Sequence, residues 1–563
     1  MSSTPDLTLV SPPDLASALD ANGVQTMDES QLRSLTQGLL SRIQQQATEL
    51  TLRQTQIDAL THEIRLLRHL RFCAKNESMN GVQVQLFEEA NAEDLAAAEE
   101  KLSHLTTPLA TTPAKKQPVR QALPAELPRV DIIHEPGNTT CGCGKPMKRI
   151  SQDVSERLDY VPGTFRVERH VRGVWACSCC ECVRQQAMPA QVIDGGIPTS
   201  NLLAQVVVSK YMDHLPLFRQ AKIFARSGVD LSMSTLADWV GACGVALAPL
   251  AQALKVQLLQ SSVLHADESP ILILGPKGKT KRGYIWAYAS GVHAPLQAVV
   301  FEIKPGRSGQ FARDFLRHEP PRGGSIGGSL AGSDPPPGRP WSGSLVVDDY
   351  AGYKALFASG AGVGDVCVFQ ILEVGCWAHV RRKFFELHVA AKSALAQTAL
   401  NHIGSLYALE GDMREQALPL DRVLARRKME ALPRLHAFHD WLQASRAQVL
   451  NGTASAKALD YALKRWPALV RYCDDATLPM DNNRIENLIR PWALGRKNWL
   501  FSGSLAAGAR AADIMSLIQS AKMNGLEPLA YLSDVLKRLP SHPNSRIAEL
   551  LPTGWKPALP LDA

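Results

Sequence analysis

Apolar residues recur at a seven-residue spacing near the start of the chain, in a stretch from Gln31 to His69 that holds no proline. Successive a positions of this heptad repeat are Ile43, Leu50, Ile57 and Ile64. The d positions are mixed, with Leu60 and Leu67 apolar but Gln46 and Arg53 polar. The pattern predicts a dimerising, leucine-zipper-like coiled coil over 31–75. The alternative is a single amphipathic helix packed on its own chain.

The segments on either side of this repeat lack such a pattern. Residues 1–30 are polar and carry Pro, Ser and Asp, and we expect them to be flexible. Residues 76–129 begin with an acidic run and continue into a stretch rich in Pro, Thr and Ala. This composition predicts a solvated helix face followed by a linker.

Helical and strand patterns follow each other in the second half. Residues 191–260 read as helices, with Gly228 ending one and Ser232 or Ser234 capping the next. That outline resembles a helix-turn-helix, although many helical hairpins that do not bind DNA share it.

From Ser261 onward short β-rich runs alternate with one helix, and a helical region then continues to about Tyr472. The order predicts an α/β sheet covered by helices. Between Pro320 and Gly343, 17 of 24 residues are Pro, Gly or Ser, which predicts a mobile surface loop.

Composition limits the classes of protein to consider. With 563 residues the chain should form several domains, and its 45% hydrophobic and 20% charged content excludes a wholly disordered chain. The longest apolar run, Gly241–Leu254, is interrupted by proline and too short for a membrane span, and the first residues show no secretory signal. We therefore expect a soluble, cytoplasmic protein without a membrane partner. A net charge of +7 permits nucleic-acid binding but does not establish it.

Six of the 11 cysteines fall within residues 141–182. The pair Cys141 and Cys143 precedes a strand-like segment, and Cys177 and Cys180 follow it. Two close cysteine pairs at the ends of a short β segment predict a zinc ribbon over 130–190, because tetrahedral Zn²⁺ takes four thiolates from two tight turns. Cys179 and Cys182 have the same spacing as the second pair, so the register stays open, and a reactive thiol group is the other interpretation.

Three acidic residues stand where apolar strands or helices would otherwise continue. Asp267 lies in a strand, Asp348 ends a later strand, and Glu486 shares a helix face with Asn483 and Arg490. Three carboxylates can hold two Mg²⁺ ions for phosphoryl transfer, since Mg²⁺ prefers oxygen ligands. Any chain with 54 acidic residues offers such triples, and the neighbours Glu268 and Asp349 compete for the same roles.

Longer motifs surround these acids: HADESP, VVDDYAGY, GCWAHVRRKF and DNNRIENLIRPWALGRKNWLFSGS. They resemble the motifs of DDE transposases of the insertion sequence 66 family of bacterial mobile elements. The order of the zipper, the cysteine segment and the stretch GGIPTSNLLAQVVVSKYMDHLPLFRQ is similar to that family too, and the resemblance covers nearly the whole chain from about residue 30.

The resemblance implies an RNase H-like catalytic core over 261–505, interrupted by a helical insertion at about 385–475, and a C-terminal helical region over 506–563. It implies Asp267, Asp348 and Glu486 as ligands of Mg²⁺ or Mn²⁺, and the two cysteine pairs as ligands of Zn²⁺. Two features depart from the family: Asp349 stands where the motif usually has Gly, and the Pro320–Gly343 loop looks longer than usual.

Basic and aromatic residues near the acids suggest contact with DNA phosphates. The candidates are Arg381, Arg382, Lys383, Arg490, Arg496 and Lys497. Trp492 and Trp499, interleaved with the last three, suit either base stacking or a core. His265 is either a neighbour of the metal site or a packed histidine. Cys376 and His379 look like half a zinc site without a partner pair nearby in sequence, which favours a structural turn over a metal.

The resemblance, together with these patterns, implies a DNA transposase that binds the terminal inverted repeats of its element and joins the cut ends to target DNA. Further partners would be a second copy of the chain, paired through the zipper, and small accessory proteins of the same element, in a bacterial cytoplasm near the nucleoid. Two alternatives stay open: a catalytically inactive DNA-binding regulator, and a nuclease without strand transfer.

Overall fold

The computed structural model describes most of the chain in several stretches. The described ranges are 29–73, 97–99, 101–102, 123, 125, 127–161, 163–275, 278–317, 340–357 and 370–557. The predicted flexible N-terminus, most of the acidic segment and linker, and most of the Pro320–Gly343 loop lie outside the described residues.

The heptad segment forms one helix, α1, from Glu29 to Cys73. Residues 29–65 of this helix belong to one of two compact units of the chain. Its heptad positions Ile43 and Leu50 are 59% and 65% exposed. Of the other two a positions, Ile57 is half-buried and Ile64 is only 6% exposed. Only the first half of the stripe is therefore open to a partner helix, and coiled-coil pairing stays a prediction.

The cysteine-bearing region forms a four-stranded sheet with the order β1-β3-β2 and with β4 paired to β3. Its strands are β1 Arg129–His134, β2 Lys148–Val161, β3 Thr164–Ala176 and β4 Val183–Gln185. The strand-like segment predicted between the two cysteine pairs is confirmed: it forms the long antiparallel hairpin of β2 and β3. This hairpin carries the two cysteine turns at the same end of the sheet.

Three helices follow, α2 Ser200–Tyr211, α3 Leu217–Arg226 and α4 Met233–Leu258. Ser232, one of the two candidate caps, is the N-cap residue of α4, and its hydroxyl accepts a hydrogen bond from the Thr235 N–H. By length and composition α4 could cross a membrane, but 56% of its most apolar window is buried inside the protein. This helix belongs to the core, and DNA contact by a helix-turn-helix stays a prediction.

The second sheet has five strands in the order β7-β6-β5-β8-β9. They are β5 Val263–Leu274, β6 Thr280–Ser290, β7 Val299–Lys304, β8 Gly343–Val346 and β9 Ile371–Val374, with helix α5 at Gly309–Leu316 and a short helix α6 at Lys354–Phe357. β5, β6 and β7 pair antiparallel, whereas β8 runs parallel to both β5 and β9. The predicted α/β sheet is therefore present.

A helical region interrupts the chain after β9. It contains α7 Trp377–Ala391, α8 Ala394–Glu415, α9 Leu420–Arg426, α10 Leu432–Gln448 and α11 Ala454–Val470. These helices share one apolar core with Val346 and Val374 at the β8–β9 side of the sheet. The insertion thus packs directly beside the strand end that carries Asp348.

The chain then returns to the sheet through three helices, α12 Asn483–Trp499, α13 Leu505–Met523 and α14 Pro528–Arg538. α13 covers the edge strand β7, where the hydroxyls of Ser516 and Ser520 accept hydrogen bonds from the backbone N–H groups of Phe301 and Val299. This closes a sheet edge that would otherwise expose unpaired backbone groups. α12 carries Glu486 in its first turn.

Candidate functional site

Two of the candidate acids lie side by side because of strand register. β5 and β8 are parallel neighbours, and their last paired residues are His265 and Val346. Asp267 and Asp348 each stand two residues beyond that pair. β8 ends at Val346, whereas β5 continues to Leu274, so Asp267 lies inside β5 and Asp348 lies just past the end of β8. Because residues at the same offset from a pair of parallel strands stay side by side, this register places the two carboxylates as neighbours.

The electrostatics of Asp267 reflect this crowding. Burial raises the pKa of Asp267 well above its usual value, and the nearby carboxylates of Glu268, Asp348 and Glu486 raise it further. Carboxylates that repel each other in a buried place are stabilised by a shared cation. The donor set at this edge is therefore the kind that fits Mg²⁺ or Mn²⁺.

Asp349, the competitor of Asp348, already forms ion pairs with two basic side chains. Its carboxylate lies 2.8 Å from the Lys354 ammonium and 3.5 Å from the Arg465 guanidinium. Asp348 instead accepts a hydrogen bond from the Tyr350 N–H at 2.9 Å, which leaves its other oxygen out of that turn. This geometry favours Asp348 over Asp349 as the site residue.

Glu268, the competitor of Asp267, is occupied on the other face of β5. Arg307 donates to its Oε1, from Nε at 2.7 Å, and the Tyr353 hydroxyl donates to its Oε2 at 2.7 Å. Burial raises the pKa of Glu268 to about 7, against the opposing effect of these two partners. Glu268 therefore belongs to a buried structural cluster.

Glu486 reaches the site from a helix, and it is surrounded by groups from the start of α7. Its Oε1 lies 3.8 Å from Nδ1 of His379, and its Oε2 lies 3.8 Å from Nη2 of Arg382. Cys376, His379 and Glu486 offer three candidate ligand atoms that lie within 4.8 Å of one another. Among the described residues, the carboxylate oxygens of Asp267, Asp348 and Glu486 do not all lie this close together. The structure thus couples Glu486 electrostatically to Asp267 while placing its carboxylate against Cys376 and His379.

Asn482 is a site residue that the sequence patterns did not single out. Its side chain donates to the Ala266 carbonyl at 2.9 Å and contacts His265 Nδ1 at 2.8 Å, and its backbone N–H donates to Cys376 Sγ at 3.2 Å. These bonds tie the start of α12 to β5 and to the start of α7. The only signal in the sequence was its position within the motif that carries Glu486.

The open question about His265 is answered by the same contacts. Its side chain is fully buried, and burial lowers its pKa to about 4, with the Asn482 contact acting in the opposite direction. His265 is therefore a packed histidine. Trp492 and Trp499 are likewise buried, at 1% and 9% exposure, so they form core and not a stacking surface.

Arg465 is a second residue that the patterns missed. It extends from α11 of the insertion, is 3% exposed, and pairs with the carboxylates of Glu373 and Asp349. It also donates to the backbone carbonyl of Asp348 at 3.2 Å. A buried cation from the insertion thus holds the turn that carries Asp348, and no local sequence pattern encodes such a long-range contact.

The predicted basic residues divide into two groups. Arg381, Arg382, Lys383, Arg490 and Lys497 are exposed on α7 and α12. Arg496 instead donates to the Pro270 carbonyl at 2.6 Å, which joins α12 to the middle of β5. The exposed group is available to phosphate, whereas Arg496 serves the packing of α12.

The cysteine turns converge on one point. The Sγ atoms of Cys141 and Cys180 are 2.9 Å apart, and those of Cys143 and Cys177 are 3.7 Å apart. A tetrahedral zinc site with Zn–S bonds of about 2.3 Å separates its sulfurs by about 3.8 Å. The Cys143–Cys177 distance matches this spacing, the Cys141–Cys180 distance is shorter, and all four sulfurs lie within 4.8 Å of one another, close enough to bind one ion. Hydrogen bonds from the Cys143 backbone and the Cys180 thiol lower the pKa of Cys141 to about 6, which favours a thiolate.

The structure narrows only in part which cysteines form the second pair of zinc ligands. Cys141, Cys143, Cys177 and Cys180 form the tight group of four. Cys182 adds a fifth thiol, 3.2 Å from both Cys141 and Cys180, whereas Cys179 is exposed and its backbone N–H donates to Cys177. The geometry therefore disfavours Cys179 and leaves Cys182 as the competitor of Cys180.

Comparison with protein-family models identifies four regions. Residues 195–510 match the model described as "Transposase IS66 family", and residues 516–553 match "IS66 C-terminal element". Residues 138–181 match "zinc-finger binding domain of transposase IS66", and residues 59–132 match "Transposase C of IS166 homeodomain". The zinc-finger match includes the tight group of four cysteines and ends before Cys182.

Curated relatives come from Sinorhizobium fredii (strain NBRC 101917 / NGR234). The uncharacterized protein y4qI is 33% identical over 88% of this chain and 89% of its own length. The uncharacterized protein y4hP is 31% identical over 89% of this chain and 88% of its own length. The uncharacterized protein y4jD is 34% identical over 77% of this chain and 81% of its own length. The similarity thus extends over nearly the whole of each protein.

Proposed function

The chain belongs to the transposase IS66 family, and on that premise we propose that it is a DNA transposase of the DDE type. It would bind the terminal inverted repeats of its element, cleave DNA at their ends and transfer the cut strands to target DNA. Asp267, Asp348 and Glu486 would bind the catalytic Mg²⁺ or Mn²⁺ ions.

One observation carries the proposal: the parallel register of β5 and β8, which sets Asp267 in β5 beside Asp348 just past the end of β8. The raised pKa of Asp267, to which Asp348 and Glu486 contribute, supports a cation among these carboxylates. The sheet order β7-β6-β5-β8-β9, antiparallel in its first three strands and parallel in the rest, supports an RNase H-like core.

In the proposed mechanism the residues of the chain position DNA and metal. Divalent ions would lower the pKa of the attacking water or 3′-hydroxyl and stabilise the leaving oxygen. Asp267 and Asp348 would hold the ions from the rigid sheet, and Glu486 would complete the set from α12. The DNA phosphates beside these carboxylates would be bound by Arg381, Lys383, Arg490 and Lys497. Arg382 would stay next to the Glu486 carboxylate.

The remaining parts would supply recognition and assembly. The cysteine module would hold Zn²⁺ through Cys141, Cys143, Cys177 and Cys180 and present a stable surface to the terminal repeats. α1 would pair two copies of the chain as a coiled coil, and small accessory proteins of the element would join the complex. Such a protein is expected in the bacterial cytoplasm, close to the nucleoid.

The decisive test is Mg²⁺-dependent nicking and strand transfer on a duplex that carries a terminal repeat. Asp267→Asn, Asp348→Asn and Glu486→Gln should each lower the rate about a thousandfold or more and leave end binding intact. Asp412→Asn, an exposed carboxylate of the insertion, is the matched control. Near wild-type nicking by any of the three variants would refute that assignment.

The same assay separates the alternatives. A wild-type chain that binds ends but never nicks them would be a DNA-binding regulator. A chain that nicks but yields no joined products with pre-cut ends and a plasmid target would be a nuclease.

A further inference from the structure

A second group of metal-type ligands lies beside the proposed catalytic acids. Cys376 stands just before α7, His379 lies in its first turn, and Glu486 comes from the first turn of α12. Their ligand atoms all lie within 4.8 Å of one another. This group is separate in sequence from the cysteine module, and the comparisons assign it no role.

Two atoms of the group are left without partners. In the described part of the chain, His379 Nδ1 and Glu486 Oε1 have no hydrogen-bond partner and no exposure to water, and they face each other at 3.8 Å. A buried polar atom without a partner destabilises the folded state, because its lost contacts with water are not replaced. Two such atoms that point to the same place as a cysteine thiol are best explained by a cation that all three bind.

The chemistry of the donors selects the kind of ion. A thiolate, an imidazole and a carboxylate form the mixed S, N and O set that suits Zn²⁺, whereas Mg²⁺ prefers oxygen alone. One thiolate and one carboxylate balance the charge of a divalent ion. The Asn482 N–H that donates to Cys376 Sγ at 3.2 Å would remain in place and support the thiolate.

We propose that Cys376, His379 and Glu486 form a binding site for a Zn²⁺-type ion, which is separate from the cysteine module and shares Glu486 with the proposed Mg²⁺ site. The ion would be bound by three protein ligands and leave its fourth position to water. Binding through the thiolate releases the thiol proton to solvent.

The site has a consequence for catalysis, which rests on the proposed function. An ion held by Cys376 and His379 would occupy Oε1 of Glu486 and keep this carboxylate turned toward α7. Glu486 would then be unable to complete the Mg²⁺ set with Asp267 and Asp348. Zn²⁺ would therefore inhibit nicking, and its inhibition would depend on Cys376 and His379.

Metal titration of the full chain tests the site itself. After removal of bound metal, Co²⁺ is added as a visible stand-in for Zn²⁺, and thiolate-to-metal absorption is followed. We expect two equivalents, one at the cysteine module and one at this site. Cys376→Ser and His379→Gln should each weaken the second equivalent at least about tenfold and keep the first.

Matched controls exclude general damage. Cys243→Ser removes another buried thiol, and His388→Gln removes another histidine of α7, so both should retain two equivalents. His379 is partly exposed, so its variant should fold even if Cys376→Ser does not. A single equivalent in the wild type, or two unchanged equivalents in His379→Gln, would overturn the proposal.

The nicking assay tests the consequence separately. Zn²⁺ added at constant Mg²⁺ should inhibit the wild-type chain at a concentration at least about tenfold lower than that needed for Cys376→Ser. Equal inhibition of both would overturn the link to Glu486. If the chain never nicks DNA, the proposed function fails while the Co²⁺ titration still decides the site.

Discussion

The carboxylates on the sheet and the carboxylate on α12 are held by different kinds of contact. Asp267 and Asp348 are neighbours because β5 and β8 pair in parallel up to His265 and Val346. Glu486 depends on side-chain bonds, above all those of Asn482, and its carboxylate faces Cys376 and His379. A main-chain ladder allows little movement. α12 is fastened along its length by buried Trp492 and Trp499 and by Arg496, but the Glu486 carboxylate sits at the end of a flexible side chain that can change its rotamer. The sheet pair is therefore the fixed part of the site and Glu486 the adjustable part.

The largest expected effect tests whether strand pairing alone holds the turn that carries Asp348, or whether Arg465 of the insertion is needed as well. Arg465→Met removes the buried guanidinium that pairs with Glu373 and Asp349 and bonds the Asp348 carbonyl. Breaking a buried ion pair leaves uncompensated charge, so the free energy of unfolding should fall by about 3–5 kcal/mol in denaturant titration. Lys464→Met, at the exposed neighbouring position, should change it little. Equal stability of the two variants would mean that the insertion does not support the Asp348 turn.

This dependence on Arg465 shows what sequence patterns could and could not predict. The strands that carry Asp267 and Asp348 followed from apolar runs, and the cysteine hairpin followed from alternation and spacing. The roles of Arg465, Asn482 and the Cys376–His379–Glu486 group come from contacts between residues about 90 to 220 positions apart. Periodicity describes one element at a time, so it could not bring these residues together.

A smaller effect should appear in the pH dependence of stability, through His265. Its folded pKa of about 4 lies below its ordinary value of 6.5 because the ring is buried. The unfolded chain therefore binds a proton that the folded chain rejects, and stability is lost as pH falls from about 6.5 toward 4. The loss should reach about 3 kcal/mol at most.

His265→Asn should remove this part of the pH dependence, measured by denaturant titration at several pH values. His436→Asn, in α10 of the insertion, is the control that keeps it. An unchanged slope in His265→Asn would show that His265 does not couple pH to the packing between β5 and α12.

The free energy of unfolding should fall by about 2 kcal/mol when Asn482, which links α12 to the sheet, is replaced. Asn482→Ala removes the side-chain bonds to His265 and Ala266 while the backbone bond to Cys376 remains. If these bonds position Glu486, the variant should need more Mg²⁺ for half-maximal nicking. Asp267 and Asp348 should keep their arrangement, because the backbone pairing of β5 with β8 remains.

Asn482→Asp, which keeps the oxygen that faces His265, should recover part of the Mg²⁺ affinity, an effect that mere loss of stability would not produce. Asn483→Ala, whose exposed side chain bonds only Asp481 among the described contacts, is the control. A normal Mg²⁺ requirement in Asn482→Ala would show that the helix-borne carboxylate is held by other means.

The smallest effect separates two neighbouring cations of α12. Lys497 is exposed, whereas Arg496 donates to the Pro270 carbonyl and fastens the helix to β5. Lys497→Ala should weaken binding to any duplex and lower the slope of log affinity against log salt by about 1, because one phosphate contact is lost. Arg496→Ala should leave that slope unchanged and instead lower stability by about 1 kcal/mol. A reduced slope in Arg496→Ala would place its guanidinium on DNA, and α12 would then be free to move on binding and carry Glu486 toward the sheet pair.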